Sequence, residues 1–572
     1  MRFLCSLISL IRLPNGNHST TGRKTPERLP DKAALSQQWK SIDWKKAELE
    51  VNRLQARIAK ATHEKKWNTV KRLQYLLVHS YYAKVLVVRK VTTNKGKNTP
   101  GVDKQLWKTP AAKMRGALTL TDKGYKAKPL RRVYIEKPGK KKKRPLGVPC
   151  MYDRAMQALY ALALDLVSET TADTKSFGFR KGRCAQDACE YIFTALSRSF
   201  SPEWVLEGDI KGCFDHISHQ WLIDHILMDK SVLKQFLKAG FVFQGELFPT
   251  DEGTPQGGII SPILANMALD GLQQVLSNRF DLSRKGKYSA FVHNKSQVNL
   301  VRYADDFIVT AATKEIAEEA KEIIRDFLQT RGLELSEEKT VITHIDNGFD
   351  MLGWTFRKFK GKLIVRPSKK SVKAFIAKLH ETVLGQGKSW EQGQLIHKLN
   401  QQLRGWANYH QSVCSSETFS RIDHILYEML WRWAKRRHPN KNRKWIVGNY
   451  WHSRELQNWI FSTDKEQLLN IAYFPIIRHT KVRMDANPYF DTQYFIDRKF
   501  QRGMKYLSGR FKKVWKEQKG CCFHCGLPMD IGEDKEIFYK TPIDMGGTDE
   551  VKNMAYVHKH CQQIFLERRA KA

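Results

Sequence analysis

From Trp39 to Arg89 the apolar residues Leu49, Leu54, Ile58, Trp67, Val70, Leu73, Leu76 and Leu77 recur mostly three or four positions apart among Lys and Arg. That spacing predicts amphipathic helices with basic outer faces. Residues 92–103 break the pattern and read as a loop. Residues 130–137 alternate with period two, as a strand does; Pro138-Gly139 turns the chain, and residues 140–149 return it as a hairpin. A helix is predicted over 153–169, a Gly/Arg-rich loop over 176–183, a strand over 204–210 and a helix over 220–227. An apolar helix over 263–276 leads to two short β-prone runs flanking Ala304-Asp305-Asp306, which reads as the turn of a tight hairpin. A helix over 314–328 follows, and from 369 to 438 the chain is helical, basic and aromatic. No apolar run reaches the roughly 18 residues that a membrane-spanning helix requires.

At 572 residues the chain exceeds a single hydrophobic core and implies about three to five domains. Its 98 Lys and Arg against 58 acidic residues leave a formal charge of +40. A compact protein with that excess repels itself unless it meets a polyanion, and nucleic acid is the partner this implies, ahead of a membrane surface. Of the ten cysteines, Cys521, Cys522, Cys525 and Cys561 gather near the end and the others are scattered. This points to a reducing compartment and one local metal site rather than a disulfide framework. Residues 3–11 form a short apolar run, but the small-residue cleavage pattern of a secretory signal is missing, so residues 1–38 read as an unstructured leader.

Asp305-Asp306 makes a poor structural turn, since like charges repel and neither Asp supplies the positive φ that Gly would. A divalent cation removes the difficulty, because Mg²⁺ takes hard oxygen ligands from one or two carboxylates; a plain exposed acidic turn is the alternative. Asp209 ends a buried strand and is a second candidate ligand, too far ahead of the next helix to cap it comfortably. The hairpin tip carries Lys137, Lys140, Lys141, Lys142, Lys143 and Arg144, a one-sign run that points to an anion. Gly257-Gly258 lets the backbone approach a ligand closely, and Gln256 beside it can hydrogen-bond a base or sugar.

In chain order stand the strand ending in Asp209, Thr254-Pro255-Gln256-Gly257-Gly258, Tyr303-Ala304-Asp305-Asp306, Leu335-Ser336 with Lys339-Thr340, and Phe349 with Leu352-Gly353. This resembles the motif order of reverse transcriptases. Four further marks are similar to the proteins encoded in group II introns: Arg144-Pro145-Leu146-Gly147-Val148-Pro149, Ser176-Phe177-Gly178-Phe179-Arg180, Asp209-Ile210 with Cys213-Phe214-Asp215, and Leu403-Arg404-Gly405-Trp406-Ala407-Asn408-Tyr409-His410. The resemblance runs from about Trp39 to the C-terminus. It implies a multidomain α+β protein with a right-hand reverse transcriptase at its centre. The implied division is a leader over 1–38, a helical N-terminal extension over 39–125, fingers and palm over 126–360, a thumb or maturase domain over 361–445, a DNA-binding region over 446–519 and a zinc module over 520–572.

The roles that the resemblance implies follow motif by motif. Asp209, Asp305 and Asp306 hold two Mg²⁺ ions, as two-metal polymerases do. Lys339 neutralises or protonates pyrophosphate. Lys137 and Arg144 grip the triphosphate, Ile210 and Gln256 border the nucleotide, and Phe214 is the gate against a sugar 2′-hydroxyl, implying deoxynucleotides. Phe349, Leu352 and Gly353 form the primer grip. Arg180, Arg183, Arg404, Trp406, Tyr409 and His410 are the candidate RNA contacts, with Trp406 reading as core ahead of contact.

Cys522, Cys525, His558 and Cys561 supply two ligand pairs suited to a closed, structural zinc site, with Cys521 and His560 as spare ligands. The module resembles an HNH endonuclease domain, but Phe538 and Tyr539 stand where the family has its catalytic His pair, and Gln562 replaces another His, while Asn553 keeps its place. Phe cannot act as a general base, so DNA cleavage is not expected of it. The whole implies an RNA-directed DNA polymerase and maturase with intron RNA, a DNA target, an RNA template with DNA primer, and dNTPs as partners, in bacterial cytoplasm or an organelle. A binding-only splicing maturase and a domesticated or defence reverse transcriptase are the alternatives.

Overall fold

The computed structural model describes residues 30–136, 143–280, 295–454, 457–507, 509–529, 535–558 and 561–562. The basic N-terminal region folds as helices Lys32–Lys40, Trp44–His63, Trp67–His79 and Tyr81–Thr93. The first of these begins inside the segment expected to be an unstructured leader. Asp31 caps it by accepting from the Ala34 N–H at 2.7 Å, and Leu35 and Trp39, one turn apart, are buried. A local cap plus two buried side chains is enough to fix so short a helix. The first packs on the helix Pro110–Thr119, and the other three pack on Met151–Thr171, which is buried on nearly every face and serves as the spine of the fingers.

Strands β1 (Leu130–Ile135) and β2 (Arg144–Val148) form the expected antiparallel hairpin. Its tip, with Lys137, lies outside the described residues. The palm sheet is built from β3 (Trp204–Asp209), β4 (Asn299–Tyr303), β5 (Asp306–Ala311) and β6 (Val341–His344), antiparallel in the order β4-β5-β3-β6. Side chains alternate across it: Leu206, Leu300, Phe307 and Val309 face the fingers core, while Val205, Val301 and Ile308 face a second core with Phe349, Trp354 and Phe356. That second core is covered by β7 (Phe349–Met351), β8 (Trp354–Phe359) and β9 (Lys362–Pro367), a three-stranded sheet.

The helix expected over 263–276 is two helices, Ser261–Leu269 and Leu272–Phe280. Gly271 breaks it with a φ of 98°, and the Asp173 carboxylate accepts from the Gly271 and Gln273 N–H groups at 3.1 Å each. Apolar periodicity continues across this break because both helices bury the same face, so pattern alone runs them together.

The thumb consists of Lys369–His380, Gln392–His410 and Ser416–Arg437. Its core continues without interruption into Ile446, Tyr450, Trp451, Phe461 and Ile471, so no boundary falls at residue 445. The rest of the segment expected to be one DNA-binding region is shared out: Val482, Ala486 and Phe495 join the palm core, whereas Val514 and Trp515 join the core of the C-terminal module. No helix of the described residues is long and apolar enough to cross a membrane.

A buried ionic network anchors the 479–498 stretch to the palm. Asp187, fully buried, accepts from His479 Nε2 at 2.9 Å and from the Val482 N–H at 2.7 Å, and it pairs with Arg498. Burial alone would raise the Asp187 carboxyl; the hydrogen bond from His479 and the Arg498 charge hold it below its ordinary value. Removing one partner of such a pair leaves the other charge buried and bare. Asp187→Ala should therefore cost roughly 3–5 kcal/mol in urea denaturation. The same variant should expose the 479–498 stretch to limited proteolysis ahead of the palm.

Candidate active site

The candidate ligands meet because β3 and β5 pair antiparallel with Asp209 opposite Asp306. Opposed residues on one face bring their Cβ atoms to about 4.5–5.5 Å. Asp305 completes the set from the turn between β4 and β5. Only Ala304 and Asp305 form that turn; Asp306 is already the first residue of β5. The positive φ comes from Ala304, at 58°, a costly conformation for a residue with a Cβ.

Neighbouring segments hold Ala304 there. Residues 175–177 run beside β4, with the Phe177 N–H donating to the Arg302 carbonyl at 2.8 Å and the Arg302 N–H to the Lys175 carbonyl at 3.0 Å. Gly178 then passes so close that a Cβ on it would lie 2.3 Å from the Ala304 nitrogen. Arg302, fully buried, donates to Asn266 Oδ1 at 3.2 Å and pairs with Asp270, while Asn266 Nδ2 donates to the Gly178 carbonyl at 2.9 Å. One arginine thus ties the loop, the turn and the helix Ser261–Leu269 together. It is a functional residue that the sequence reading passed over. The available signal was a lone cation in an otherwise apolar strand, which must be paired if it is buried.

Crowding shows in the electrostatics. Burial, then Asp305, then Asp209 push the Asp306 carboxyl up to about 6. Asp305 is raised by burial and by Asp209, against the opposing charges of Arg144 and Lys339. Lys339 places Nζ on Asp209 Oδ2, and the Ser336 N–H donates to the Asp209 carbonyl at 2.8 Å. Three convergent carboxylates that disfavour one another's charge are a donor set fit for a hard divalent cation.

Around this centre the other expected residues divide. The Gly147 N–H of β2 donates to the Gln256 carbonyl at 2.7 Å, which joins the fingers hairpin to the Gly-Gly loop. Gln256 Nε2 donates to both Asp215 oxygens at 3.1 Å. Phe214 is half-buried beside this loop, its carbonyl accepting from the Thr254 N–H at 2.6 Å. Ile210 is 2% exposed and its side chain joins the core.

The expected RNA contacts are mostly interior. Arg180 makes a two-pronged pair with Glu169 at 2.9 and 2.7 Å, and Arg183 approaches the same carboxylate at 3.5 Å. Trp406 stacks on Phe375 with centroids 4.7 Å apart. Tyr409 stacks on Trp354 at 4.6 Å and donates its hydroxyl to the Leu352 carbonyl at 2.8 Å. His410 is buried against Trp406 and Trp354. Of the six, Arg404 is the one left exposed. Burial, which rewards aromatic rings and paired guanidinium groups alike, claims the rest. Tyr409 and His410 clamp the thumb to the expected primer-grip turn, where Leu352 and Gly353 take φ of 52° and 83° and Phe349 stacks on Phe356.

In the C-terminal module the ligand atoms of Cys522, Cys525, His558 and Cys561 all lie within 4.8 Å of one another. Cys521 stays outside this set, its thiol donating to the Lys519 carbonyl. Hydrogen bonds from Cys525 and then Cys561 hold the Cys522 thiol well below its ordinary value, and the bonds to Cys522 and Cys525 hold Cys561 above it. Phe538 is buried in the module's core, and Tyr539 donates its hydroxyl to Asp549 at 2.6 Å. Asn553 is spent on the loop, exchanging 2.8 Å hydrogen bonds with Thr541 and donating to the Thr548 carbonyl.

Comparison with known proteins agrees with this geometry. Residues 135–356 match the model of the reverse transcriptase (RNA-dependent DNA polymerase) family, residues 39–120 that of the N-terminal domain of reverse transcriptase, and residues 372–451 that of the group II intron maturase-specific domain. The chain is 32% identical over 371 residues to the group II intron-encoded protein LtrA of Lactococcus lactis, covering 55% of this chain and 61% of that relative. It is 32% identical over 292 residues to protein YkfC of Escherichia coli, covering 46% of this chain and 76% of the relative. A 91 kDa protein in the cob intron of Schizosaccharomyces pombe is 32% identical over 269 residues, 38% of this chain and 32% of its own length.

Burial lowers the His410 pKa from 6.5 to about 4. The unfolded chain therefore binds the extra proton first, and stability falls as pH drops from about 6.5 to about 4, by up to roughly 3 kcal/mol. Denaturation midpoints measured across that window should fall more steeply for the native sequence than for His410→Phe. Separately, Gly178→Ala should lose most primer-extension activity while the thumb stays folded, since the added Cβ meets backbone and not a flexible side chain.

Proposed function

The chain belongs to the family of group II intron-encoded reverse transcriptases, and on that premise we propose that it copies RNA into DNA and assists the splicing of an intron RNA. The observation that carries this reading is the register pairing Asp209 with Asp306 beside Asp305, with Lys339 on the same carboxylate. Binding RNA alone gives no reason to crowd three carboxylates.

The three aspartates would hold Mg²⁺, in the two-ion arrangement the resemblance implies. When bound, magnesium supplies the charge that lowers the pKa of a primer 3′-hydroxyl and offsets developing charge on the leaving group. The chain's own residues do the rest. Lys339 hands its charge from Asp209 to the pyrophosphate. Arg144, close enough to Asp305 to lower its pKa, grips the triphosphate. Phe214 closes on the sugar and selects deoxynucleotides, with Gln256 and the main chain at Ile210 bordering the base and ribose. The 349–353 turn, held by Tyr409, seats the primer end. Lys137 belongs to the same grip by resemblance.

Intron RNA, the template–primer duplex and a DNA target are the proposed partners, with Arg404 and the other exposed cations of the thumb as the RNA-facing charge. Cys522, Cys525, His558 and Cys561 would hold a structural Zn²⁺, and the module would bind DNA without cutting it. The buried Phe538, the engaged Tyr539 and the loop-bound Asn553 support that limit. Bacterial cytoplasm is the proposed location.

Purified protein should extend oligo(dT) on poly(rA) in Mg²⁺, and Asp305→Ala should lower the rate by more than about a hundredfold. A native protein that binds intron RNA but extends nothing would favour the binding-only maturase. Metal analysis should find about one zinc per chain, lost in Cys561→Ser. Mg²⁺-dependent nicking of target DNA that disappears in Asn553→Ala would overturn the reading of the module.

A further inference from the structure

Phe179 sits beside the carboxylate turn under two costs. Its φ is 58°, in the region that side chains with a Cβ avoid, and the residue is 54% exposed. Such a conformation persists only where the surroundings impose it, and here they do so from both sides. On one side Gly178 is pinned by Asn266 and by its close approach to Ala304. On the other, Arg180 is locked into its two-pronged pair with Glu169. The backbone at 179 therefore has no freedom to relax, and the ring is delivered to one place. It meets Phe214 edge to face, with centroids 6.1 Å apart and planes inclined by 80°.

Phe214 is anchored through its backbone, its carbonyl taking the Thr254 N–H, yet its ring is only half-buried. An aromatic ring with one side in solvent has more than one rotamer open to it. A wall that excludes a single hydroxyl works only while it stays in place. The edge-to-face contact from Phe179 limits where the half-buried Phe214 ring can turn.

We propose that Phe179 is a positioning residue for sugar selection, holding the Phe214 ring where it excludes a ribonucleotide 2′-hydroxyl. The proposal rests on the gate reading of Phe214. It makes the strained 178–180 loop a determinant of nucleotide choice as well as a brace for the carboxylate turn. Removing one edge-to-face pair should lower discrimination about two- to tenfold.

The test compares kcat/KM for thymidine triphosphate with that for the matching 5-methyluridine ribonucleotide, using the full chain on poly(rA)/oligo(dT). Phe179→Ala should lower the ratio about two- to tenfold through a rise in ribonucleotide use, which misfolding does not produce. Phe179→Tyr should restore it. Phe214→Ala should lower the ratio further, and adding Phe179→Ala to Phe214→Ala should change it no more. A ratio that falls in Phe214→Ala but not in Phe179→Ala sinks the proposal and leaves the gate standing. No change in Phe214→Ala sinks the gate reading, and the proposal with it. Full additivity of the two substitutions shows Phe179 acting by itself and also overturns the positioning role.

Discussion

Asp209 and Asp306 stand opposite each other across β3 and β5 with Asp305 in the adjoining turn, and the structure around them is what keeps their repulsion from pulling the site apart. The decisive constraint is register. A slip of one residue between β3 and β5 would swing Asp209 to the opposite face. Gly208 helps to prevent it: Phe307 lies so close across the strands that a Cβ on Gly208 would meet its ring at 2.1 Å. The Ser336 N–H on the Asp209 carbonyl pins the same strand end from the other side. Lys339, three residues further on, then brings its charge to the carboxylate that this pairing has fixed. Side-chain chemistry at the site depends on backbone geometry that only small residues permit.

The same loop that steadies the turn also receives the C-terminal part of the chain. Arg183 donates to the Ala486 carbonyl at 3.2 Å, Arg498 to the Gly182 carbonyl at 3.2 Å, and Phe495 lies against Gly182. Residues 176–187 therefore touch the carboxylate turn at one end and the 479–498 stretch at the other. A segment read from sequence as a separate DNA-binding unit is packed against the polymerase through buried ion pairs, whose geometry is stricter than that of a surface contact. Whatever the C-terminal region grips is mechanically close to the site of synthesis.

Much of this was legible in the chain. The hairpins, the palm strands and the order of the motifs follow from period-two runs, Gly-containing loops and carboxylates at strand ends, and all are local signals. What was not legible is long-range. Arg180, Arg183, Tyr409 and His410 carry the residue types expected to meet RNA, yet they are held by partners such as Glu169, Leu352 and Trp354, which are distant or unremarkable in sequence. Arg302 and Asp270 are 32 residues apart, and nothing near either announces the other. The break at Gly271 and the continuity of the thumb core past residue 445 fail for a related reason: apolar periodicity reports that a face is buried, not which element covers it.

These misreadings bear on the charge argument itself. A formal charge of +40 suggests a polyanion, but the cations are not equivalent. Among the described residues the buried ones are Arg154, Arg180, Arg302 and Lys358. A planar guanidinium can serve several acceptors at once, and Arg154 does so, donating to the Pro149 carbonyl at 2.9 Å and to the Gly96 carbonyl at 3.0 Å. These arginines sew loops to the palm and fingers. The surplus that faces outward is carried mainly by lysines and by arginines such as Arg404 on exposed helix faces. The pull on nucleic acid is accordingly diffuse and screened by salt, whereas the carboxylate turn is held by a buried cation, Arg302, paired within the protein.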